Sequence, residues 1–306
     1  MPFFGRMLTA MASPMRRDHS LDLEGVQRLA EHLVDHGSDG LVVAGTTGES
    51  PTLTERETAN LFAAVLEAVG DRATVLAGAG KNDTATTLQL VREASAIGVD
   101  GVMLVTPYYN KPSQRGLYEH FATVAGATEL PVLLYNIPSR TSCEIAPETL
   151  LRLSEDVPTI RGVKDSVKDF GKAAWLAARA PETFEIYSGN DEDTLPLLSV
   201  GAVGAVSVAA HLVGSEIGQM IDRFATDPAG SLRIHQRLLG LFAALFVDTN
   251  PVPVKAALDM VGLPGGPVRP PLAGADAYTV ESVRLALEHL GIEADGTVVG
   301  AEEADA

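Results

Sequence analysis

Short apolar runs alternate with longer segments whose apolar positions recur every three or four residues, from Leu8 to about residue 212. The short runs, rich in Val, Ile, Leu and Thr, read as buried strands, and the longer ones as helices packed on one face. Strands are expected at 8–11, 40–44, 74–77, 101–106, 131–135, 160–166, 184–188 and 204–208. The helix at 21–36 presents Leu21, Val26, Leu29, Leu33 and Val34 on one side. The next begins at Thr54, with Glu57 three residues on, a capping box, and buries Leu61, Phe62, Val65 and Val69. Further helices are expected at 84–97, 116–125, 147–153, 172–180 and 194–198, with a polar loop at 136–144.

Eight strand signals whose ends recur about 20 to 33 residues apart, each followed by a helix, predict a (β/α)8 TIM barrel. A doubly wound open sheet is the runner-up, but no strand runs into a G-x-G-x-x-G turn. Gly78-Ala-Gly80 lacks the third glycine, and Gly201-Ala-Val-Gly204 leads into a strand. Beyond the barrel the strand signal stops, and 214–224, 231–246, 254–261 and 278–290 all read as helices. The division expected is a catalytic barrel over 1–225, a C-terminal helical extension over 226–294 and a disordered acidic tail over 295–306.

Composition narrows the class. With 306 residues, 46% of them hydrophobic and 21% charged, the chain can bury one large core. A net charge of −17 argues against nucleic acid, which needs clustered Lys and Arg. It also repels anionic substrates, so basic side chains must capture them locally. No apolar run approaches the ~18 residues of a membrane span, and the basic pair Arg16-Arg17 follows the N-terminal apolar stretch, the reverse of a secretory signal. The one cysteine, Cys143, excludes an internal disulfide. A soluble, cytoplasmic protein away from membranes is expected.

In such a barrel the chemistry sits where strands end. The sixth strand delivers Lys164 among apolar neighbours, where desolvation disfavours the ammonium and a neutral amine could attack a ketone to form a Schiff base. Alone, a lysine in that position is more commonly a surface partner of Asp165. Gly45 and Gly48 allow a tight turn that would aim the N–H groups of Thr46 and Thr47 at a carboxylate, or form an ordinary loop. Tyr135 could shuttle protons, or simply face water at the mouth. Arg140 could grip a carboxylate bidentately, or pair within its loop.

Rival chemistries are weaker. His32 and His36 share a helix face without a third ligand, Cys143 has no activating histidine nearby, and Gly78-Ala-Gly-Lys81 is no phosphate loop. Asp191 and Asp193 read as helix N-terminal charges. Neither a metal set nor a cofactor motif converges at the strand ends.

Four motifs, G-T-T-G-E at 45–49, T-P-Y-Y-N at 106–110, Y-N-I-P-S-R-T at 135–141 and G-V-K-D at 162–165, come in the order and spacing of one family. From about Gly5 to Ile292 the chain resembles the dihydrodipicolinate synthases, within the N-acetylneuraminate lyase and class I aldolase superfamily. The resemblance implies a lyase that condenses pyruvate with aspartate semialdehyde on the pathway to diaminopimelate and lysine. No cofactor is implied beyond the covalent imine of pyruvate on Lys164. Thr46 and Thr47 would hold the pyruvate carboxylate, Tyr135, Thr47 and Tyr109 would relay protons, and Arg140 would bind the semialdehyde carboxylate. The carbonyls of Gly189 and Val206 would line the pyruvate pocket. Tyr109 would come from a neighbouring subunit of a homotetramer built as a dimer of dimers.

Sugar-acid aldolases of the superfamily share the lysine and the fifth-strand tyrosine. Arg140, Thr47 and the Tyr108-Tyr109 pair favour the synthase, and intact Lys164, Tyr135 and Arg140 argue against a non-catalytic keto-acid binder. Ser13-Pro14 replaces a commoner Thr-Pro, without expected consequence. Where lysine-inhibited members carry histidines and a glutamate, this chain has Glu55, Thr58 and Thr86, although Asn82 and Tyr108 match. Losing that glutamate removes a partner for an effector ammonium, a contact of ~1–3 kcal/mol, so lysine inhibition is expected to be weak or absent. Half-inhibition by submillimolar lysine in a steady-state assay would contradict this.

Overall fold

A computed structural model describes residues 2–300. In chain order its elements begin β1 (Met7–Ala10), α1 (Leu23–Asp35), β2 (Gly40–Val43), α2 (Glu55–Val69), β3 (Thr74–Gly78) and α3 (Thr84–Ile97). Next come β4 (Gly101–Val105), α4 (Gln114–Ala125), β5 (Val132–Asn136), α5 (Pro138–Thr141), α6 (Pro147–Asp156) and β6 (Ile160–Asp165). The barrel finishes with α7 (Phe170–Ala177), β7 (Glu185–Ser188), α8 (Thr194–Leu198), β8 (Gly204–Ser207) and α9 (Ala210–Arg223). Three helices follow, α10 (Pro228–Ala244), α11 (Val252–Met260) and α12 (Ala277–His289). The eight strands pair in parallel and in sequence, and β8 closes on β1.

Alternation along each strand divides the apolar residues between two faces. Leu8, Val42, Leu76, Met103, Leu133, Tyr135, Tyr187 and Val206 fill the barrel interior. Leu41, Val75, Val102, Leu134 and Val163 point outward and pack beneath the helices. Burying each such side chain contributes about 1.5–3 kcal/mol. A separate apolar cluster joins α9 to α10, α11 and α12 through Ile217, Met220, Leu241, Phe242, Ala257 and Val283. At the barrel's rim, Thr54 caps α2 as the sequence suggested, its hydroxyl accepting from Glu57 N while Glu57 reaches back to Thr54 N.

One irregularity decides which way β6 presents its side chains. Val132 lies opposite Ile160, but Leu133 lies opposite Gly162, so Arg161 is an extra residue on β6. Beyond it Tyr135 pairs with Lys164, and Lys164 with Tyr187. A slip of one residue reverses which face a side chain occupies, so this shift turns Lys164 into the barrel and Arg161 out over the ring of Phe3.

Two stretches are more structured than their composition suggests. The polar loop at 136–144 contains α5, made possible by Pro138 in the first turn and closed by Thr141 Oγ1 donating to Ile137 O at 3.0 Å. Within the tail expected to be disordered from 295 onward, Gly296 N donates to Met260 O and Val299 N to Asp259 Oδ2, both at 2.8 Å. The end of α11 therefore supplies acceptors that hold this segment. The remainder of that expectation, 301–306, lies outside the described residues. No helix among the described residues is long and apolar enough to cross a membrane.

Candidate active site

Lys164 is buried at the C-terminal end of β6, 4% exposed. Its ammonium lies over the ring of Tyr135, 4.4 Å from the centroid. Burial lowers its pKa from 10.5 to about 8; the carboxylate of Asp191 pulls it back up, and the guanidinium of Arg140 pushes it further down. That change corresponds to on the order of 3 kcal/mol against the charged form. A cation–π contact returns ~0.5–2 kcal/mol, so desolvation wins, and with a pKa of about 8 roughly a tenth of the amine is neutral at pH 7.

Tyr135 occupies the neighbouring position on β5, also buried. Burial raises its phenol pKa, while the Arg140 charge and the nearby hydroxyls of Ser166 and Thr46 oppose this. It stays protonated at neutral pH, as a proton donor must. The other interior tyrosine is already committed, since the Tyr187 hydroxyl is bonded to Gly5 O and the Glu185 carboxylate at the opposite end of the barrel. A space of about 30 Å³ lies between Gly45, Thr46, Val105 and Tyr135, room for a water or two.

The loop after β2 turns for reasons other than those its glycines suggested. The left-handed residues are Ala44 (φ 53°) and Glu49 (φ 57°), which flank it. Gly48 is needed for close approach, because a Cβ there would stand 3.0 Å from Ala44 Cα. Ser13 Oγ donates to Gly48 O at 2.8 Å, and Glu49 N to Thr46 O at 3.0 Å, fixing Thr46 and Thr47 at the mouth. Opposite, Arg140 on α5 donates from Nη2 to Asn250 O at 3.2 Å. Its charge acts on both Lys164 and Tyr135. Lys164, Tyr135, Thr46, Thr47 and Arg140 therefore converge on one mouth.

Gly189 closes the far side of Lys164. A Cβ there would meet Ser166 Oγ at 2.1 Å and Lys164 Cε at 3.2 Å, so any side chain would displace the Ser166 hydroxyl and crowd the lysine. Val206 lies in the barrel interior on β8. Tyr109 is not brought to the same mouth: it is 90% exposed, on a backbone with φ 74°.

Several functional neighbours escaped the sequence reading. Asp191 and Asp193 open the short 3-10 turn Asp191–Asp193 ahead of α8, as the sequence suggested, but Asp191 does more than that. Its buried carboxylate accepts from Ser207 Oγ, Val208 N and Ala209 N, closing the turn after β8 and facing Lys164. His211 bridges two strand ends, its Nε2 accepting from Ala12 N at 3.0 Å while its Nδ1 faces Val208 O at 2.8 Å. Burial drives its pKa down to about 4, so it is neutral. Asn250 reaches Thr47, and Lys255 pairs with Glu49. Cys143 is bonded to Pro112 O and its thiol pKa is raised by burial, while His32 and His36 stack on each other. Among the described residues, no three His, Cys, Asp or Glu side chains are grouped to hold a metal.

Residues 3–290 match the dihydrodipicolinate synthetase family. The 4-hydroxy-tetrahydrodipicolinate synthase of Moorella thermoacetica is 54% identical over 290 residues, spanning 94% of this chain and 99% of that protein. That of Symbiobacterium thermophilum is 51% identical, spanning 95% of this chain and 100% of its own length. The crystal structure of DHDPS from Cyanidioschyzon merolae with lysine bound superposes with a TM-score of 0.94 at 42% identity, over 95% of this chain and 100% of that one.

Proposed function

This chain belongs to the dihydrodipicolinate synthetase family, and on that premise we propose how its barrel mouth performs the chemistry. The activity is that of a 4-hydroxy-tetrahydrodipicolinate synthase, a lyase acting on pyruvate and aspartate semialdehyde in diaminopimelate and lysine biosynthesis. The neutral amine of Lys164 adds to the keto carbon of pyruvate. Loss of water gives the imine, and loss of a methyl proton gives the enamine. Its nucleophilic carbon attacks the aldehyde of aspartate semialdehyde. The semialdehyde amine then displaces Lys164 from the imine carbon, closing a six-membered ring and restoring the enzyme.

The residue roles belong to the same proposal. Thr46 and Thr47 hold the pyruvate carboxylate, and Tyr135 with Thr47 carries protons to and from the carbinolamine oxygen. The carbonyls of Gly189 and Val206 line the pocket. Arg140 takes the semialdehyde carboxylate, giving a strongly acidic chain one local cation for an anionic substrate. Tyr109 completes the relay in a neighbouring copy: an aromatic side chain 90% exposed on a left-handed backbone suits a surface covered by another subunit. A homotetramer in the cytoplasm fits this reading; a fully active monomer in solution would contradict it.

The observation that carries the proposal is the buried Lys164 amine, with its pKa at about 8, stacked on Tyr135. Borohydride reduction in the presence of pyruvate is expected to leave one reduced pyruvate adduct, on Lys164, detectable by mass. Because the neutral amine is the nucleophile, trapping should quicken as pH rises toward 8 and level off above it, falling about tenfold per unit well below. Absence of the adduct, or a rate that declines as pH rises from 6 to 8, would overturn the reading.

A further inference from the structure

Asn250 lies just before α11, on the C-terminal extension and 203 residues from Thr47, yet its side chain reaches the barrel mouth. It is 6% exposed. Its Nδ2 donates to Thr47 Oγ1 at 3.0 Å, its main-chain carbonyl accepts from Arg140 Nη2 at 3.2 Å, and its Oδ1 is buried without a hydrogen-bond partner. We infer that Asn250 is a positioning residue that sets the direction in which Thr47 gives its proton. A threonine hydroxyl has one hydrogen and two lone pairs. With a lone pair occupied by the Asn250 amide, its hydrogen is directed away from residue 250, toward the bound keto acid and Tyr135. The same residue steadies the guanidinium, but through its main chain, which a side-chain substitution leaves in place. This rests on the Schiff-base reading above and deepens it.

The two contributions of Asn250 are therefore separable. Asn250→Ala is expected to lower kcat and the rate of borohydride-trapped adduct formation about 10- to 100-fold. KM for the semialdehyde should change less than about twofold, because Arg140 keeps its carbonyl partner. Thr47→Val removes the hydroxyl that Asn250 orients, so adding Asn250→Ala to it should cost little more, a strongly non-additive cycle. A merely structural role would give effects that multiply independently, which would overturn the inference. Asn250→Asp, the same size but unable to donate when ionised, should be as slow as Asn250→Ala. Near-normal turnover in that variant would mean that Thr47 donates to residue 250, the opposite polarity, and would also overturn it. Should the alanine variant fail to fold, judged by circular dichroism, the aspartate variant carries the cycle. The wild-type adduct on Lys164 keeps the two readings apart: its absence defeats the Schiff base, whereas its presence with additive effects defeats only the role of Asn250.

Discussion

Lys164→Met is expected to abolish the pyruvate adduct and lower kcat/KM by roughly four orders of magnitude or more, while making the folded protein harder to unfold. The first half follows from chemistry, since a thioether cannot form an imine. The second follows from linkage. The folded-state pKa of Lys164, about 8, lies below its ordinary 10.5. At pH 7 the fold therefore bears nearly the full cost of holding that charge out of water, a cost that vanishes only above the ordinary value. Methionine matches the side chain in length without the charge, so a gain on the order of 1–3 kcal/mol is expected in denaturant titrations at pH 7. Asp191 is left near the vacated position, but Ser207 Oγ and two backbone N–H groups continue to satisfy it. The gain should shrink as the titration is repeated toward pH 10. A stability gain that persists unchanged at pH 10, or retention of a pyruvate adduct, would contradict the assignment.

What could be read in the sequence and what could not divide along a physical line. Lys164, Tyr135 and the Thr46-Thr47 loop lie at the ends of short apolar runs, and a barrel places strand ends together. The local pattern therefore carried both the fold and the first set of side chains. The Arg161 irregularity that turns Lys164 inward leaves no local trace, because it is defined only against β5. Asp191 does begin a helical turn, but nothing local in the sequence shows that its carboxylate turns away from α8 to cap the turn after β8, a choice made by spatial neighbours. Asn250 and Lys255 act on a loop more than 200 residues earlier, and no periodicity reports contacts over such a separation. One signal for Lys255 did exist: a lone charge within Val252–Leu258, otherwise apolar, demands a buried partner.

Lys255→Met should do the reverse of Lys164→Met, and the contrast tests the electrostatic picture of both. Lys255 is also buried, and burial likewise lowers its pKa, but the Glu49 carboxylate opposes this by charge and hydrogen bond. Its Nζ donates to Glu49 Oε1 at 2.7 Å, Pro267 O at 2.7 Å and Ser13 O at 3.1 Å. Glu49 itself is 3% exposed, and its second oxygen accepts from Arg269 N at 2.8 Å. Removing the lysine leaves that carboxylate buried beside two carbonyl oxygens without its hydrogen-bonded cation, the nearby Arg269 guanidinium being engaged by Glu57, which costs about 3–5 kcal/mol. Lys255→Met is therefore expected to lower the unfolding midpoint sharply. Lys255→Met combined with Glu49→Gln, which removes the stranded charge, should recover part of the loss. Because Glu49 closes the loop that carries Thr47, the single variant should also raise the KM for pyruvate more than that for the semialdehyde. Stability within 1 kcal/mol of wild type, measured by the same denaturant titration (about a fivefold change in the folding equilibrium), would show that the pair contributes little.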